Sequence, residues 1–277
     1  MDQFTRDGLT FDVSDSGPAA GEPVVLLHGF PETSRSFDEV VPPLNAAGYR
    51  TVAPDQRGYS PRARPAGRAD YRMSELVADV AALADAGGFR RFHLVGHDWG
   101  GAVAWACGVR LADRLASLTV LSTPHPGAFL RALRGRQALH SWYMGLFQLP
   151  WLPERLLTNR RLFVGLLVRS GLPERYARRY AEHLDSPEAV AGGINWYRAM
   201  ALPSTLQGAR ARVPVPTLYV YSTGDRFLTR DAAAASRDFV SGDYRFEVLD
   251  GVSHWIPEEV PERLSGLLLE QFRAHPV

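Results

Sequence analysis

The chain has 277 residues and a formal net charge of +1 at pH 7. This length suits one large α/β domain with an insertion and is enough to bury a sizeable core. Charges are interspersed along the chain, which argues against a nucleic acid or an anionic membrane as a partner. All 31 basic residues are arginine, so Schiff-base and phosphate-loop lysines are excluded.

The cysteine content and the apolar runs exclude further classes of protein. The single cysteine, Cys107, cannot form an internal disulfide, and neither CxxC nor HExxH spacing is present to hold zinc. We therefore predict no metal and no cofactor. Residues 1–8 are polar and charged, and no apolar stretch reaches the length of a membrane span. The sequence thus predicts a cytoplasmic protein, and it leaves a monomer and a homodimer both open.

In chain order, the first predicted elements are short strands around one helix. Residues 9–14 alternate apolar and polar side chains, which favours an edge strand. Residues 23–27 form a continuous apolar run, typical of a strand buried on both faces of a parallel sheet. Residues 51–53 repeat this pattern, and residues 36–47 favour a helix that stops at Gly48.

Helix and strand signals continue to alternate along the next part of the chain. Residues 74–83 carry apolar side chains at helical spacing, with Ser74 as the N-cap. Strands are predicted at residues 92–95 and 117–121, and a helix at residues 102–111. Strict alternation predicts a mostly parallel sheet that helices cover on both faces.

This alternation stops after residue 121 and resumes at residues 214–221. The stretch between them has no convincing strand and is rich in aromatic residues, leucine and arginine. Because open α/β sheets bind ligands at the carboxyl ends of their strands, we predict a helical cap over that edge. The predicted division is a core at residues 1–124 and 209–277 and a helical cap at 125–208. After the cap we predict a helix, a strand and a helix at residues 230–239, 245–249 and 257–272.

The most informative stretch for chemistry is GHDWGG at residues 96–101, between a predicted strand and a predicted helix. Glycines two positions either side of Asp98 describe a nucleophile elbow, whose central residue has a strained backbone and whose flanks leave no room for a Cβ. The alternative is a glycine-rich turn in which Asp98 caps the helix. The central residue is an aspartate and not a serine, which restricts the possible reactions.

An elbow nucleophile needs a base, and the base needs an acid that orients it. Asp225 follows the predicted strand that ends at residue 221, and His254 follows the last predicted strand. Taken singly, Asp225 would be a turn residue and His254 a loop histidine. Their order along the chain, nucleophile then acid then histidine, instead favours a catalytic triad at one sheet edge.

A carboxylate nucleophile attacks saturated carbon when ring strain or a good leaving group helps, and it forms an alkyl-enzyme ester. Attack on a carboxylic ester would give an unfavourable anhydride, so epoxides and alkyl halides are the expected substrates. In a second step His254, oriented by Asp225, would activate a water that attacks this ester. The backbone N–H groups of Trp99 and Phe30 are the expected donors to the oxyanion.

Residues 24–31 with their HGFP turn, the elbow, Asp225 and His254 together resemble the α/β-hydrolase superfamily and, within it, the epoxide hydrolases. The resemblance spans nearly the whole chain. It implies an α/β-hydrolase fold with a helical cap inserted after the sixth strand, and a small apolar epoxide and water as the partners.

Two cap segments resemble the tyrosine-bearing segments of soluble epoxide hydrolases. These are WY at residues 142–143 and NWYR at residues 195–198. The resemblance implies that Tyr143 and Tyr197 donate hydrogen bonds to the epoxide oxygen, help to protonate it, and bind the substrate together with Trp99. A proton donor is needed because an alkoxide is a poor leaving group, and an unperturbed tyrosine stays protonated at neutral pH.

Two other classes of function fit part of these residues. The elbow and the triad also fit haloalkane dehalogenases, which stabilise the departing halide with side-chain donors. Trp99 could supply an indole N–H, but Phe30 has no side-chain donor, and the arginine that a haloacid substrate would need is replaced by Trp99 and Gly100. A ligand-binding relative that uses the triad without turnover is the third possibility. The residues favour epoxide hydrolysis.

Overall fold

The computed structural model describes residues 1–202 and 208–277. These residues form a sheet whose strands are β1 (Gln3–Arg6), β2 (Leu9–Ser16), β3 (Pro23–Leu27), β4 (Arg50–Pro54), β5 (Phe92–His97), β6 (Leu115–Leu121), β7 (Thr217–Ser222) and β8 (Tyr244–Leu249). The order across the sheet is β1-β2-β4-β3-β5-β6-β7-β8. Strands β3 to β8 are parallel, whereas β1 and β2 pair antiparallel with each other and β2 with β4.

Helices lie between each pair of consecutive parallel strands and after the last one. Before β7 they are α1 (Val41–Ala46), α2 (Met73–Ala86), α3 (Trp99–Arg110), α4 (Pro126–Ala132), α5 (Gln137–His140), α6 (Trp142–Leu146), α7 (Leu152–Leu157), α8 (Arg160–Arg169), α9 (Glu174–His183) and α10 (Pro187–Ala199). After β7 they are α11 (Arg230–Ala234), α12 (Ile256–Glu259) and α13 (Pro261–Ala274).

Hydrophobic cores lie on both faces of the sheet. Helices α2 and α3 bury apolar side chains such as Val80 and Val103 against one face. Helices α1 and α13 bury Leu44, Leu267 and others against the opposite face. Each fully buried side chain of this kind contributes about 1.5–3 kcal/mol. The central strands β5 and β6 are buried along their whole length, so the predicted α/β-hydrolase fold, a mostly parallel sheet covered on both faces, is confirmed.

The stretch between β6 and β7 is helical in its described part, from α4 to α10. Helix α10 lies directly on a core loop, because a Cβ at Gly192 would be 2.1 Å from the Gly58 carbonyl oxygen. The Trp196 indole also donates a hydrogen bond of 2.8 Å to the carbonyl of Arg57 in that loop. The last part of the predicted cap, residues 203–207, lies outside the described residues, so its predicted boundary at residue 208 stays a prediction.

Two predictions at the amino-terminal side of the sheet are wrong. Residues 9–14 do form a strand, as part of β2, but it is not at the edge of the sheet, because β1 pairs outside it through a tight turn at Asp7 and Gly8, both with positive φ. An Asp-Gly pair is a strong hairpin signal, and the charged side chains around it masked the strand. Ser74 is not an N-cap either, since α2 begins one residue earlier at Met73.

Proline shortens two predicted helices. The helix predicted at residues 36–47 is a 3₁₀ turn at Ser34–Phe37 followed by α1, whose second and third residues are prolines. The helix predicted at residues 257–272 is divided into α12 and α13, and Pro261 begins the second. Proline lacks an N–H and has a fixed φ, so it is tolerated in the first turn of a helix and not inside it. Across the described parts of the chain, no helix is long and apolar enough to span a bilayer.

Candidate active site

Asp98 lies in the turn between β5 and α3, with φ of 49° and ψ of −117°. A positive φ at a residue other than glycine costs on the order of 1–3 kcal/mol and is characteristic of functional sites. The turn depends on its glycines, because a Cβ at Gly96 would be 2.2 Å from the Gly100 carbonyl oxygen and one at Gly100 would be 2.2 Å from the Leu27 carbonyl oxygen. The Asp98 side chain makes no capping hydrogen bond to α3. The geometry therefore favours the elbow over the helix-cap alternative.

One oxygen of the Asp98 carboxylate accepts a hydrogen bond from the backbone of the loop after β3. The Phe30 N–H donates to Oδ1 at 2.9 Å. Gly29 allows this approach, since a Cβ there would lie 2.4 Å from the Asp98 Cβ. Trp99, the other predicted oxyanion donor, is the first residue of α3 and its backbone N–H lies at that helix terminus.

The other oxygen of Asp98 faces His254. The His254 Nε2 atom lies 3.5 Å from Asp98 Oδ2, and its Nδ1 atom lies 2.7 Å from Asp225 Oδ2. Asp225 is held in turn by two backbone donors, the N–H groups of Phe227 and Leu228, which bind its Oδ1 at 2.7 and 3.0 Å. The ends of β5, β7 and β8 thus bring the three predicted triad residues into one chain of contacts.

Buried charge sets the protonation states in this chain of contacts. Burial alone would raise the pKa of the Asp98 carboxyl, but its hydrogen bond and charge interaction with His254 outweigh burial and lower that pKa. Burial would lower the pKa of His254, yet the carboxylates of Asp225 and Asp98 raise it well above its ordinary value. Asp98 is therefore ionised at neutral pH, and the histidine between the two carboxylates carries a proton.

The two predicted tyrosines lie across from this carboxylate. Tyr197 on α10 is buried, Tyr143 on α6 is half-buried, and their ring centroids are 6.0 Å apart. The Trp99 indole packs edge-on against the Tyr197 ring at 4.9 Å. Burial and the negative charge of Asp98 raise the pKa of both phenols, so both remain protonated in neutral and alkaline solution.

Two apolar cavities meet at this site. Both are lined by Asp98, Tyr143, Tyr197 and Phe227. The larger has a volume of about 490 Å³ and continues among α6, α7 and α8, whereas the smaller, about 150 Å³, continues along α3 and α4. Among the residues that the structure describes, no group of three or more His, Cys, Asp or Glu side chains is arranged to hold a metal ion.

Comparison with known proteins gives the family. A model of the α/β-hydrolase fold matches residues 22–261. The AB hydrolase superfamily protein YfhM of Bacillus subtilis is 35% identical, over 98% of this chain and 97% of that protein. Epoxide hydrolase A of Mycobacterium tuberculosis is 32% identical, over 95% of this chain and 94% of that protein. This chain belongs to the α/β-hydrolase superfamily and, within it, to the epoxide hydrolases.

A solved structure extends the family resemblance to three dimensions. Epoxide hydrolase A from Mycobacterium thermoresistibile matches this family member with a TM-score of 0.83 at 28% identity, over 98% of this chain and 97% of that one. The match therefore spans nearly the whole length of both chains.

Some residues of this epoxide hydrolase family member contact the site without having been predicted. Beneath it, Glu32 lies 2.7 Å from His97, and His97 Nε2 is hydrogen-bonded to the His254 carbonyl at 2.9 Å. The nearby Glu258 accepts a hydrogen bond from the Tyr180 hydroxyl and is buried. Isolated carboxylates carry no periodic sequence signal, so only the fold reveals this cluster.

Phe227 also contacts the site and was not among the predicted residues, although the sequence contained a signal for it. Its ring packs edge-on against His254 at 5.0 Å and against Tyr143 at 5.6 Å. It lies two residues after Asp225, so the predicted position of Asp225 at a strand end also brings its neighbour to the site. An aromatic residue so close to a predicted triad member was the available signal.

Proposed function

We propose that this protein is an epoxide hydrolase that opens an epoxide to a vicinal diol through an ester of Asp98. The observation that carries the proposal is the position of the Asp98 carboxylate in the elbow, where other hydrolases carry serine. His254 and Asp225 lie on one side of this carboxylate, and the two protonated phenols lie on the other. Carboxylate attack and acid assistance are what opening a strained ether requires.

In the first step, Asp98 Oδ2 attacks one carbon of the epoxide ring. The carbon–oxygen bond breaks, its electron pair moves to the epoxide oxygen, and that oxygen takes a proton from Tyr143 or Tyr197. The Phe30 N–H holds Oδ1 at 2.9 Å, which leaves Oδ2 as the attacking atom. The product of this step is a hydroxyalkyl ester of Asp98, and the phenol regains its proton from water.

Ester formation also releases the base. His254 is protonated in the resting site because two carboxylates face it. Once Asp98 is esterified it no longer carries charge, so the pKa of His254 falls and the proton can leave. Neutral His254, oriented by Asp225 at 2.7 Å, then takes a proton from water as that water attacks the ester carbonyl. The oxyanion at Oδ1 is stabilised by the Phe30 and Trp99 N–H groups. Its collapse breaks the bond between the Asp98 carboxyl carbon and Oδ2, and this oxygen takes the proton of the new carboxyl group and leaves with the diol, which restores the Asp98 carboxylate and the protonated His254.

The same proposal assigns the helices between β6 and β7 to a cap. Their described part supplies both phenols and most of the larger cavity, which supports the division into a core at residues 1–124 and 209–277 and a cap at 125–208. The cavity linings are mainly Phe, Leu, Met, Trp and Tyr side chains. We therefore expect small apolar epoxides, with water as the second substrate.

The deciding experiment is a parallel assay of the purified protein with styrene-oxide-like and aliphatic epoxides, haloalkanes and haloacetates. We expect diol from the epoxides, no diol from Asp98→Asn, and little halide. Halide release without diol would establish a dehalogenase, although the Trp99 indole that such an enzyme would use packs edge-on against Tyr197. No turnover of any class would favour a ligand-binding protein.

A single turnover in ¹⁸O-labelled water tests the ester directly. The new oxygen of the diol comes from Asp98 in this mechanism, and the oxygen of water replaces it in the carboxylate. We expect the label in the peptide that contains Asp98 and unlabelled diol. Label in the diol after one turnover would instead indicate direct attack of water on the epoxide.

A further inference from the structure

The cap helices expose an unusual number of large apolar side chains. Leu139 is 77% exposed, and Trp142 and Trp151 are each 68% exposed. With one exception near the carboxyl terminus, all exposed large apolar residues in the described ranges lie on α5 to α8 or their connections. We call this set the apolar rim: Leu139, Trp142, Leu149, Trp151, Leu162, Leu166 and Val168. A concentration of exposed large apolar side chains in one part of a fold is characteristic of interaction sites.

The rim is continuous with the mouth of the larger cavity. Leu139, Trp142, Leu162 and Leu166 are part of its lining. Helix α8 shows how the rim is built, because its Phe163 is buried whereas Leu162 and Leu166, one turn apart, face outward. The exposed side of α8 thus combines leucines with arginines, whereas the solvent-facing side of a surface helix is ordinarily polar throughout.

Trp151 provides an independent sign that the exposure has a use. Its φ is 52°, in the left-handed region that glycine and asparagine favour. The residue thus bears backbone strain while its indole lies largely in solvent, and neither feature stabilises the folded chain. Strain of this kind, held by the surrounding structure, is concentrated at functional positions.

The charge around the rim identifies its partner. Residues 133–172 contain six arginines and one acidic residue, Glu154. Glu154 is buried and paired with Arg198, so it does not offset the exposed positive charge. Arg155 and Arg161 are exposed and form no salt bridge with any acidic side chain that the structure describes, and the same holds for Arg169 at the cavity mouth.

We propose that the apolar rim docks onto an anionic phospholipid surface. Tryptophan and leucine side chains enter the boundary between headgroups and acyl chains, and the arginines bind the phosphates. A second copy of the chain fits less well, since a symmetric contact would bring the same arginine-rich surface together with itself. Docking at a surface needs no membrane-spanning helix.

This proposal departs from the prediction, made from the interspersed charges of the sequence, that an anionic membrane is not a partner. Over the whole sequence the charges are interspersed, but residues 133–172 are rich in arginine, and the fold buries their one acidic residue, Glu154, in a pair with Arg198. If the proposed function also holds, an apolar epoxide dissolved in lipid enters the larger cavity without crossing water. Only that consequence rests on the proposed function, because docking itself is independent of turnover.

The test is flotation of the purified full chain with vesicles of phosphatidylglycerol and phosphatidylcholine, and with vesicles of phosphatidylcholine alone. We expect binding to the anionic vesicles that weakens with salt. Trp151→Asn with Val168→Gln, neither of which lines a cavity, should lower this binding at least about tenfold while turnover of a water-soluble epoxide stays unchanged. Arg155→Gln and Arg161→Gln should each lower it about fivefold.

The matched control is Val277→Gln with Arg273→Gln. These are an exposed apolar residue and an exposed arginine near the carboxyl terminus, far along the chain from the rim, and the variant should bind as the wild type does. Absence of binding by the wild type, or equal binding by the rim variants, would overturn the proposal. A dimer of the wild type that the rim variants convert to monomer, without vesicle binding, would assign the rim to a second copy. Vesicle binding without epoxide turnover would uphold docking and reject the proposed chemistry.

Discussion

The two sides of the Asp98 carboxylate are built in different ways. On the core side, Phe30, His254 and Asp225 follow strand ends and are joined to the carboxylate by contacts of 2.7 to 3.5 Å. On the helical side, Tyr143 and Tyr197 come from separate helices and are held mainly by edge-on ring packing at 4.9 to 6.0 Å. Hydrogen bonds fix one half and aromatic packing the other, so only the second half can be reshaped without loss of the triad.

The largest effect is expected from breaking the core side at its base. His254→Gln should lower steady-state turnover about 10⁴-fold, because the ester forms but no base activates water. Intact mass spectrometry should then show protein with one substrate mass added. A variant that is inactive and remains unmodified would mean that His254 is needed before ester formation, contrary to the two-step mechanism.

The helical side is tested by removing its hydroxyl groups. Tyr143→Phe with Tyr197→Phe should lower the rate of ester formation about 10³-fold, since no acid protonates the leaving oxygen. Each single variant should lose less, because one phenol remains. Pre-steady-state kinetics measures this rate, and a substrate whose leaving group needs no proton is the control. Loss of activity toward both substrates would assign the tyrosines to packing.

A smaller effect is expected from the oxyanion donor on the core side. In Gly29→Ala the new Cβ would meet the Asp98 Cβ at 2.4 Å and displace the Phe30 N–H. We expect ester hydrolysis to slow about 10²-fold, as when one oxyanion donor is lost. Gly266→Ala, at a glycine of α13 with open space around it and no positive φ, controls for glycine replacement in general. Unchanged hydrolysis in Gly29→Ala would remove Phe30 from the mechanism.

The smallest effect on turnover is expected from the buried carboxylates beneath the core side. Burial and the charge of Glu32 raise the pKa of Glu258 to about 8. The folded protein therefore holds this proton where the unfolded chain has lost it, so the stabilisation is full below about pH 4.5 and disappears as the pH rises through about 8.

Glu258→Gln mimics the protonated form and removes that dependence. We expect the free energy of unfolding of the variant to exceed that of the wild type by on the order of a few kcal/mol at pH 9, with little difference at pH 5. Denaturant unfolding at several pH values measures it. Parallel curves for the two proteins would show that Glu258 is ionised in the folded state.

The same contrast explains how much the sequence could predict. The sheet and the core side depend on short apolar runs, the glycines of the elbow and residues directly after strands, all of which are local signals. The approach of Phe30 to Asp98 could also be predicted, because Phe30 lies in the loop directly after a predicted buried strand. The positions of Tyr143 and Tyr197 came from resemblance alone, because no local pattern determines how α6 and α10 pack.

Other features depend on contacts between distant parts of the chain. Glu32 and Glu258 are of a residue type that is usually exposed, so nothing in the sequence indicates that the fold buries them near each other. The excess of arginine around Trp151 is visible in the sequence, but only the fold shows that the one acidic residue among them, Glu154, is buried and paired with Arg198. The strand β1 is different, since the Asp7–Gly8 turn was a usable signal that charged neighbours obscured.

The unequal volumes on the two sides of Asp98 bear on regiochemistry. An epoxide with one long and one short substituent can direct the long one only into the 490 Å³ cavity, which leaves the 150 Å³ cavity for the short one. The orientation of the ring is then set by the lengths of its arms, and so is the carbon that faces Oδ2. The fit of the two substituents, and not the electronic preference of the ring carbons, would then decide which carbon Asp98 attacks. That carbon is inverted, so the fit would also determine the absolute configuration of the diol.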